Sequence, residues 1–214
     1  MTSLISDMHD ARAHHGGAED APYVVAALYK FVDLADHQAL QPHIQSLCDG
    51  HNILGTILLA AEGINGTVCG PEKCMAAFLQ WLQDDPRFAG ISLKFSFAPE
   101  QAFLRMKVRL KREIVTMGCP EIRPAQATGT YVEPADWDAL IDDPDVMVID
   151  TRNRYETAIG SFRGAVDPQT DNFREFPAWA AALADQDETT RPRKLAMFCT
   201  GGIRCETASA LMQA

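Results

Sequence analysis

Several things are missing from this 214-residue chain. No apolar run approaches the roughly 20 residues that a membrane helix needs. The first residues lack the basic-then-apolar layout of a signal peptide. Both absences point to a cytoplasmic protein without a membrane partner. The six cysteines, Cys48, Cys69, Cys74, Cys119, Cys199 and Cys205, contain no C-x-x-C pair, and Cys69 and Cys74 stand apart from other ligand types, which argues against zinc. Scattered thiols fit a reducing compartment, with Cys48, Cys69 and Cys74 as small buried hydrophobes. Histidine stops at His51, so the second half of the chain holds no partner for a cysteine–histidine couple. Glycine-rich dinucleotide or flavin loops, an iron facial triad and internal repeats are all lacking. The net charge of −10 opposes non-specific nucleic-acid binding by the molecule as a whole, but not by a local basic face.

What is present falls into two styles. Met1 to Asp20, with His9, His14, His15, Gly16 and Gly17, reads as a disordered tail over 1–20. Pro22 to Phe31 is an apolar, β-rich strand. Asp36 to Cys48 places Leu40, Ile44 and Leu47 at helical spacing, with Gly50 as a stop. Asn52 to Ala60 is a second strand, Gly63-Ile64-Asn65-Gly66 is turn chemistry, and Thr67 to Cys69 is a third strand. After Pro71, the stripe of Met75, Phe78, Leu79 and Leu82 gives a second helix. Ile91–Phe97 and Phe103–Val115 are further strands. The pattern is the βαββαβ, ferredoxin-like arrangement, with helices on one face of an antiparallel sheet.

The last of these strands is basic on alternate positions. Arg105, Lys107, Arg109 and Lys111 share one face, because successive side chains point to opposite sides. Leu104, Met106, Val108 and Leu110 share the other and can pack on the core. Arg112 and Lys94 extend the basic face. Such a row is either a solvated or charge-protected edge or an anion-binding surface, most simply for a phosphate backbone.

Gly118 to Thr130, rich in proline and glycine, reads as a linker over 118–130. Beyond it the style changes. Pro134 to Leu140 starts a short helix. Asp145 to Asp150 is a near-continuous apolar strand of the doubly buried kind. Phe173 to Ala184 is helical, with Asp171 or Asn172 as cap and Pro177 in its early turns. Leu195 to Phe198 is another buried strand, and Cys205 to Met212 is a helix. Alternating strands and helices argue for a parallel α/β sheet. Its small complement of elements reads as a fragment of a longer protein.

Cys199 is the candidate reactive atom. It ends a buried strand, a Gly201-Gly202 pair follows, and a helix start and Arg204 come next. Backbone N–H groups from such a loop can converge on the sulfur, while a helix N-terminus and a guanidinium favour thiolate. No separate base is then required. Cys205 is open between a resolving thiol and a packing role.

Motifs spread through both halves carry a resemblance. Asp150-Thr151-Arg152-Asn153-Arg154-Tyr155-Glu156, then Gly160-Ser161-Phe162-Arg163-Gly164-Ala165, then the Cys199 to Arg204 loop resemble a rhodanese homology domain. The resemblance implies that Asp150, Arg152 and Glu156 support the active-site loop, with Arg152 acting through Asp150 and Glu156, and that Gly164-Ala165 starts the next strand. Four residues separate Cys199 from Arg204, as in the sulfur-handling members. Dual-specificity phosphatases have five, and a histidine where this chain has Phe198.

The string Cys-Thr-Gly-Gly-Ile-Arg-Cys-Glu at 199–206, the Asp150 to Glu156 segment, Ala61-Glu62-Gly63-Ile64-Asn65-Gly66-Thr67 and the basic run from Lys107 to Val115 together resemble the TrhO (YceA-type) family. This implies an α+β domain followed by an α/β domain. The first is ferredoxin-like (acylphosphatase-like) over 21–117; the second is rhodanese-like over 131–214 and incomplete at its carboxyl end. It implies an oxidoreductase that hydroxylates the wobble uridine of tRNA to 5-hydroxyuridine. Cys199 and Arg204 would be catalytic, in the loop formed by Thr200, Gly201, Gly202 and Ile203. Arg105, Lys107, Arg109, Lys111 and Arg112 would hold the anticodon stem-loop. Molecular oxygen is the implied co-substrate; no other cofactor, no metal and no obligate protein partner is expected. Attack of a thiolate on uracil C6 and oxygen delivery from an oxidised Cys199 both remain open. The alternative is a persulfide-forming sulfurtransferase using thiosulfate or another donor.

Overall fold

A computed structural model of the chain describes residues 3–14, 21–187 and 192–214. The chain divides into two compact units, Met1–Ile114 and Val115–Ala214.

The first unit runs α1 (Ser3–His14), β1 (Tyr23–Phe31), α2 (His37–Gly50), β2 (Leu54–Ala60), β3 (Gly63–Pro71), α3 (Glu72–Asp84), β4 (Ser92–Ala98) and β5 (Met106–Leu110). Its sheet has the order β4-β1-β3-β2-β5. The first four strands pair antiparallel in the expected ferredoxin-like order. β5 is a fifth strand outside the βαββαβ unit and lies parallel to β2, so the sheet is mixed.

Side-chain alternation decides where the helices sit. Val24, Ala26 and Leu28 of β1 are buried, while Val25, Ala27 and Tyr29 are half-buried. The buried set joins Ile57, Leu59 and Val108 with Leu40, Ile44 and Cys48 of α2 and Met75, Phe78, Leu79 and Leu82 of α3 in one core. Among the described residues of this unit, no helix packs on the other face of the sheet.

Four expectations change here. The tail is helical over Ser3–His14. Met8 enters the core, and Arg12 bonds the Ala21 carbonyl and Glu72 while lying 4.2 Å over the Phe97 ring. Residues 1–2 and 15–20 of that tail lie outside the described residues. Gly63 to Gly66 belong to β3, and the turn is Ala61-Glu62, because Ala60 already pairs with Gly63. The basic strand is confined to Met106–Leu110, although Gly55 N–H to the Arg105 carbonyl and Lys111 N–H to the Leu59 carbonyl extend its rungs. It is an edge strand paired with β2; Leu104 and Leu110 are exposed, while Met106 and Val108 pack on the core. Finally, Lys94 is on β4, at the far edge from β5. It shares the helix-free face through the row Lys94–Ala27–Thr67–Thr56–Lys107, but four strand spacings of ~4.8 Å put it roughly 19 Å away. It does not extend the β5 row.

The Ala61 to Thr67 motif has a structural task. Glu62 accepts from Ile114 N–H at 2.6 Å and Asn65 donates to the Ile114 carbonyl at 2.8 Å. These bonds pin the segment leaving β5. Gly63 has φ +147, and a Cβ there would sit 2.1 Å from the Lys30 carbonyl oxygen and 3.2 Å from Ile114 Cδ1.

The second unit contains α4 (Pro134–Ile141), β6 (Val146–Asp150), α5 (Arg154–Thr157), α6 (Phe176–Ala184), β7 (Lys194–Phe198) and α7 (Ile203–Gln213). β6 and β7 are parallel. The strand expected from Gly164-Ala165 is reduced to one bridge, Val166 to Ile149. The Asn172 side chain caps a short 3₁₀ turn over Phe173–Glu175 that leads into α6. The expected linker is part of this unit. Met117 and Ile122 are buried with Ile149, Phe173, Phe176 and Ala208, and Thr128 and Gly129 bond Ser209. The division therefore falls at Ile114/Val115 rather than across 118–130. Among the described residues no helix is long and apolar enough to cross a membrane.

Gly63→Ala should destabilise the first unit by more than about 1 kcal/mol, since both the left-handed φ and the close carbonyl oppose a Cβ. Thermal melting of the variant against the parent checks this.

Candidate active site

The strand β7 delivers Cys199 to the start of α7, and α7 begins on Gly202 with φ +98 and no side-chain cap. A helix normally satisfies its first amides with an oxygen from the cap residue. Here the Cys199 sulfur takes that place. Gly202 N–H reaches Sγ at 3.0 Å, and the Cys205 and Gly201 amides also donate to it. Gly202 permits this approach, because its φ of +98 is a backbone conformation that residues with a side chain rarely adopt.

The Cys199 thiol is pulled well below its ordinary value. The largest cause is a hydrogen bond from the Cys205 thiol, and the amides of Cys205, Gly202 and Gly201 add to it, against an opposing effect of burial. Cys205 shifts in the opposite direction, because its proton is held by the Cys199 sulfur and its site is desolvated. Arg204 plays a smaller part at the sulfur than its position in sequence suggests. Its guanidinium is engaged by Glu156 in a two-pronged pair, both distances 2.7 Å. Glu156 also accepts from the Thr200 hydroxyl at 2.8 Å and from Asn153 N–H at 3.1 Å. Arg204 first, then Thr200 and the Asn153 amide, hold its carboxyl down to about 2 against burial. A carboxyl lowered in this way contributes stability that is complete above its ordinary value of 4.5 and is lost only as pH falls toward 2. The pair therefore stays charged in mild acid.

Arg152 forms a separate pair. Its Nε and Nη2 meet the two oxygens of Asp150 at 2.8 and 2.7 Å, and Nη2 also bonds the Gly160 carbonyl. Asp150 is fully buried. Burial would raise its pKa, but Arg152 and the Ser161 hydroxyl more than offset this. Arg152 thus pairs with Asp150 as expected, whereas Glu156 acts on it only through charge and makes its own pair with Arg204. Arg152 also lies 5.5 Å from the Phe198 ring centre, and Phe162 meets the same ring edge-on at 4.8 Å.

The structure thus brings Asp150, Arg152, Glu156 and all of 199–204 around one loop. One contributor, Thr151, was missed from sequence, and a second, Cys205, was left open between a resolving and a packing role. Thr151 is buried and gives both its N–H and its hydroxyl to the Phe198 carbonyl, each at 3.0 Å, which fixes the strand end before Cys199. Cys205, 3.6 Å from the Thr151 hydroxyl, is the chief thiol donor. Its position in the first turn of a helix that starts beside Cys199 was the available signal. Ile203 opens α7 itself, two residues before the expected start.

The basic residues belong to the first unit. Arg105, Arg109, Lys111 and Arg112 are exposed and Lys107 is half-exposed. Lys107 and Arg109 register with Thr56 and Leu58 on the helix-free face. The Lys107 ammonium is lowered by desolvation and then by Arg105 and Arg109, as a row of like charges requires.

Cys205→Ala should raise the Cys199 pKa toward its ordinary 9.0, because the largest stabiliser of the thiolate is removed. The pH midpoint of Cys199 alkylation by iodoacetamide, compared with the parent, checks this.

Residues 23–114 match the UPF0176 acylphosphatase-like domain. A protein from Rhizobium leguminosarum bv. trifolii named tRNA uridine(34) hydroxylase is 54% identical over 91% of this chain and 62% of its own length. Proteins of the same name from Agrobacterium fabrum and Rhizobium etli are 53% and 52% identical, over 89% and 97% of this chain and 60% and 64% of theirs. The chain spans about three-fifths of the length of these relatives. The chain is therefore similar to the proteins named tRNA uridine(34) hydroxylase, and residues 23–114 of its first unit are similar to the UPF0176 acylphosphatase-like domain.

Proposed function

We propose that this chain acts in the hydroxylation of the wobble uridine of tRNA to 5-hydroxyuridine in the cytoplasm, with Cys199 as the reactive sulfur and molecular oxygen as co-substrate. The observation that carries the reading is the Cys199 sulfur itself, held as a thiolate by four donors from Gly201, Gly202 and Cys205. The names of the relatives support the substrate. In this reading the second unit is rhodanese-like and Cys199 presents a nucleophile to the base. Arg204, oriented by Glu156, carries positive charge beside the sulfur. Asp150, Arg152, Thr151 and Glu156 position the loop and do not touch the base.

The first unit supplies the RNA surface. Arg105, Lys107, Arg109, Lys111 and Arg112 contact phosphates of the anticodon stem-loop, and base identity is read elsewhere. A folded RNA with single-stranded loop bases suits a protein whose overall charge is negative but which carries one basic edge.

Two outcomes are expected. Changing Arg105, Lys107, Arg109 and Lys111 together to glutamate should lower tRNA affinity at low salt by at least about tenfold and flatten its salt dependence, with the melting temperature kept. Unchanged affinity removes the RNA role of this strand. In cells lacking the protein, mass spectrometry of tRNA nucleosides should show loss of 5-hydroxyuridine derivatives, restored by the parent gene and not by Cys199→Ser. Loss of a thiolated nucleoside instead would support a sulfurtransferase.

A further inference from the structure

Cys205 is a second thiol placed against the reactive one. Its S–H donates to the Cys199 sulfur, and its amide N–H does the same. On its other side lies the Thr151 hydroxyl at 3.6 Å. Neither cysteine is fully exposed. Gly201, in the loop between them, has nothing within 4 Å of where a Cβ would stand, and a disulfide would bring the two sulfurs from hydrogen-bond contact to ~2.05 Å. Cys48 and Cys69 are buried in the other unit.

We propose that Cys205 is the resolving thiol of Cys199: when a peroxide oxidises the Cys199 sulfur, Cys205 closes a Cys199–Cys205 disulfide that an external dithiol reopens. This rests on Cys199 being the reactive thiolate and does not depend on tRNA being the substrate. In the first step the Cys199 thiolate attacks one peroxide oxygen. An S–O bond forms, the O–O bond breaks, the sulfur is oxidised by two electrons, and hydroxide or an alkoxide leaves. In the second step the Cys205 sulfur loses its proton and attacks the Cys199 sulfur. The S–S bond forms, the S–O bond breaks, and the leaving hydroxide takes up the proton as water. A dithiol then returns two electrons and two protons by exchange and leaves as its own disulfide.

The surroundings order these steps. While Cys199 is a thiolate, its hydrogen bond and its charge hold the Cys205 proton in place. Oxidation to the uncharged sulfenic acid ends both effects. Thr151 and Arg204, which favour ionisation of Cys205, remain. The Thr151 hydroxyl can turn from the Phe198 carbonyl to donate to the new thiolate. Cys205 is therefore inert beside a reduced Cys199 and becomes a nucleophile beside an oxidised one. The disulfide also removes the thiolate from the loop, so oxidation stops the enzyme in a form that can be reduced and keeps the sulfur from the irreversible sulfinic stage.

The test uses the reduced full chain and hydrogen peroxide, at a pH where alkylation shows Cys199 to be ionised in parent and variants alike. Peptide mapping without reductant should find a peptide pair joining Cys199 to Cys205, two hydrogens lighter than the free thiols and released by dithiothreitol. In Cys205→Ser that link should be lost, with Cys199 trapped by dimedone as sulfenic acid or advanced to sulfinic acid. Cys205→Ala, with melting curves for both variants, guards against a folding defect in one of them. Equal rates of sulfinic acid formation in parent and variants, a link from Cys199 to another cysteine, or a Cys199 unreactive in all proteins would overturn the proposal. No RNA enters this experiment, so its failure leaves the nucleoside assay to judge the hydroxylation reading separately.

Discussion

A helix capped by glycine has no side-chain oxygen for its first amides, and at α7 the sulfur of Cys199 accepts instead from the Cys205 amide of the first turn and from the Gly202 and Gly201 amides before it. Much of the second unit serves that one interaction. Thr151 holds the Phe198 carbonyl from two directions, so the strand ends where the sulfur must be. Glu156 ties Thr200 and Arg204 together across the loop. Asp150, buried and paired with Arg152, fixes the segment that carries Thr151 and Glu156. Because the acceptor is stronger as a thiolate than as a thiol, the fold that needs the cap also lowers the cost of ionising the nucleophile. Local stability and reactivity have the same origin here.

The first unit solves a different problem. Its helices cover one face of the sheet, and its last strand is an edge. An edge strand with alternating cations resists pairing with another chain, and that alone would account for Lys107 and Arg109. The row is longer than edge protection requires, however. Arg105, Lys111 and Arg112 lie outside the strand proper and are exposed as well. The Lys107 ammonium, disfavoured by desolvation and then by Arg105 and Arg109, is relieved by an anion, and a phosphate backbone supplies anions at regular intervals.

Much of this was legible in the sequence where periodicity and burial agree. The core residues of α2 and α3 stood at helical spacing, and β1, β6 and β7 were apolar runs whose length suits a strand. The misreadings have local causes. Gly63 to Gly66 look like a turn because glycine and asparagine favour turns. In the structure the glycine at 63 is needed for a strand that passes close to the Lys30 carbonyl. The α1 helix is held by Met8 and Arg12, too few anchors to give a periodic signal. The linker composition of 118–130 concealed Ile122, one apolar residue buried in the second core. At the site, spacing identified the cysteine, the glycines and both arginines but not their pairing. Whether Glu156 faces Arg152 or Arg204 depends on how a four-residue helix turns, which sequence pattern does not fix.

That pairing bears on what the loop can hold. Arg204 is matched by Glu156 and Arg152 by Asp150, so Arg204, the guanidinium that also bonds the Cys199 sulfur, shares its charge with a carboxylate. The thiolate is stabilised mainly by uncharged donors, a thiol and three amides. A dianion such as thiosulfate would approach a thiolate with little net positive charge to receive it, and like-charge repulsion at close range would oppose entry. A uracil ring carries no charge and meets no such barrier. The cations that could bind a polyanion are instead gathered on the edge of the first unit. This division, with neutral donors at the sulfur and positive charge on a separate surface, supports the proposed tRNA hydroxylation over persulfide transfer from thiosulfate.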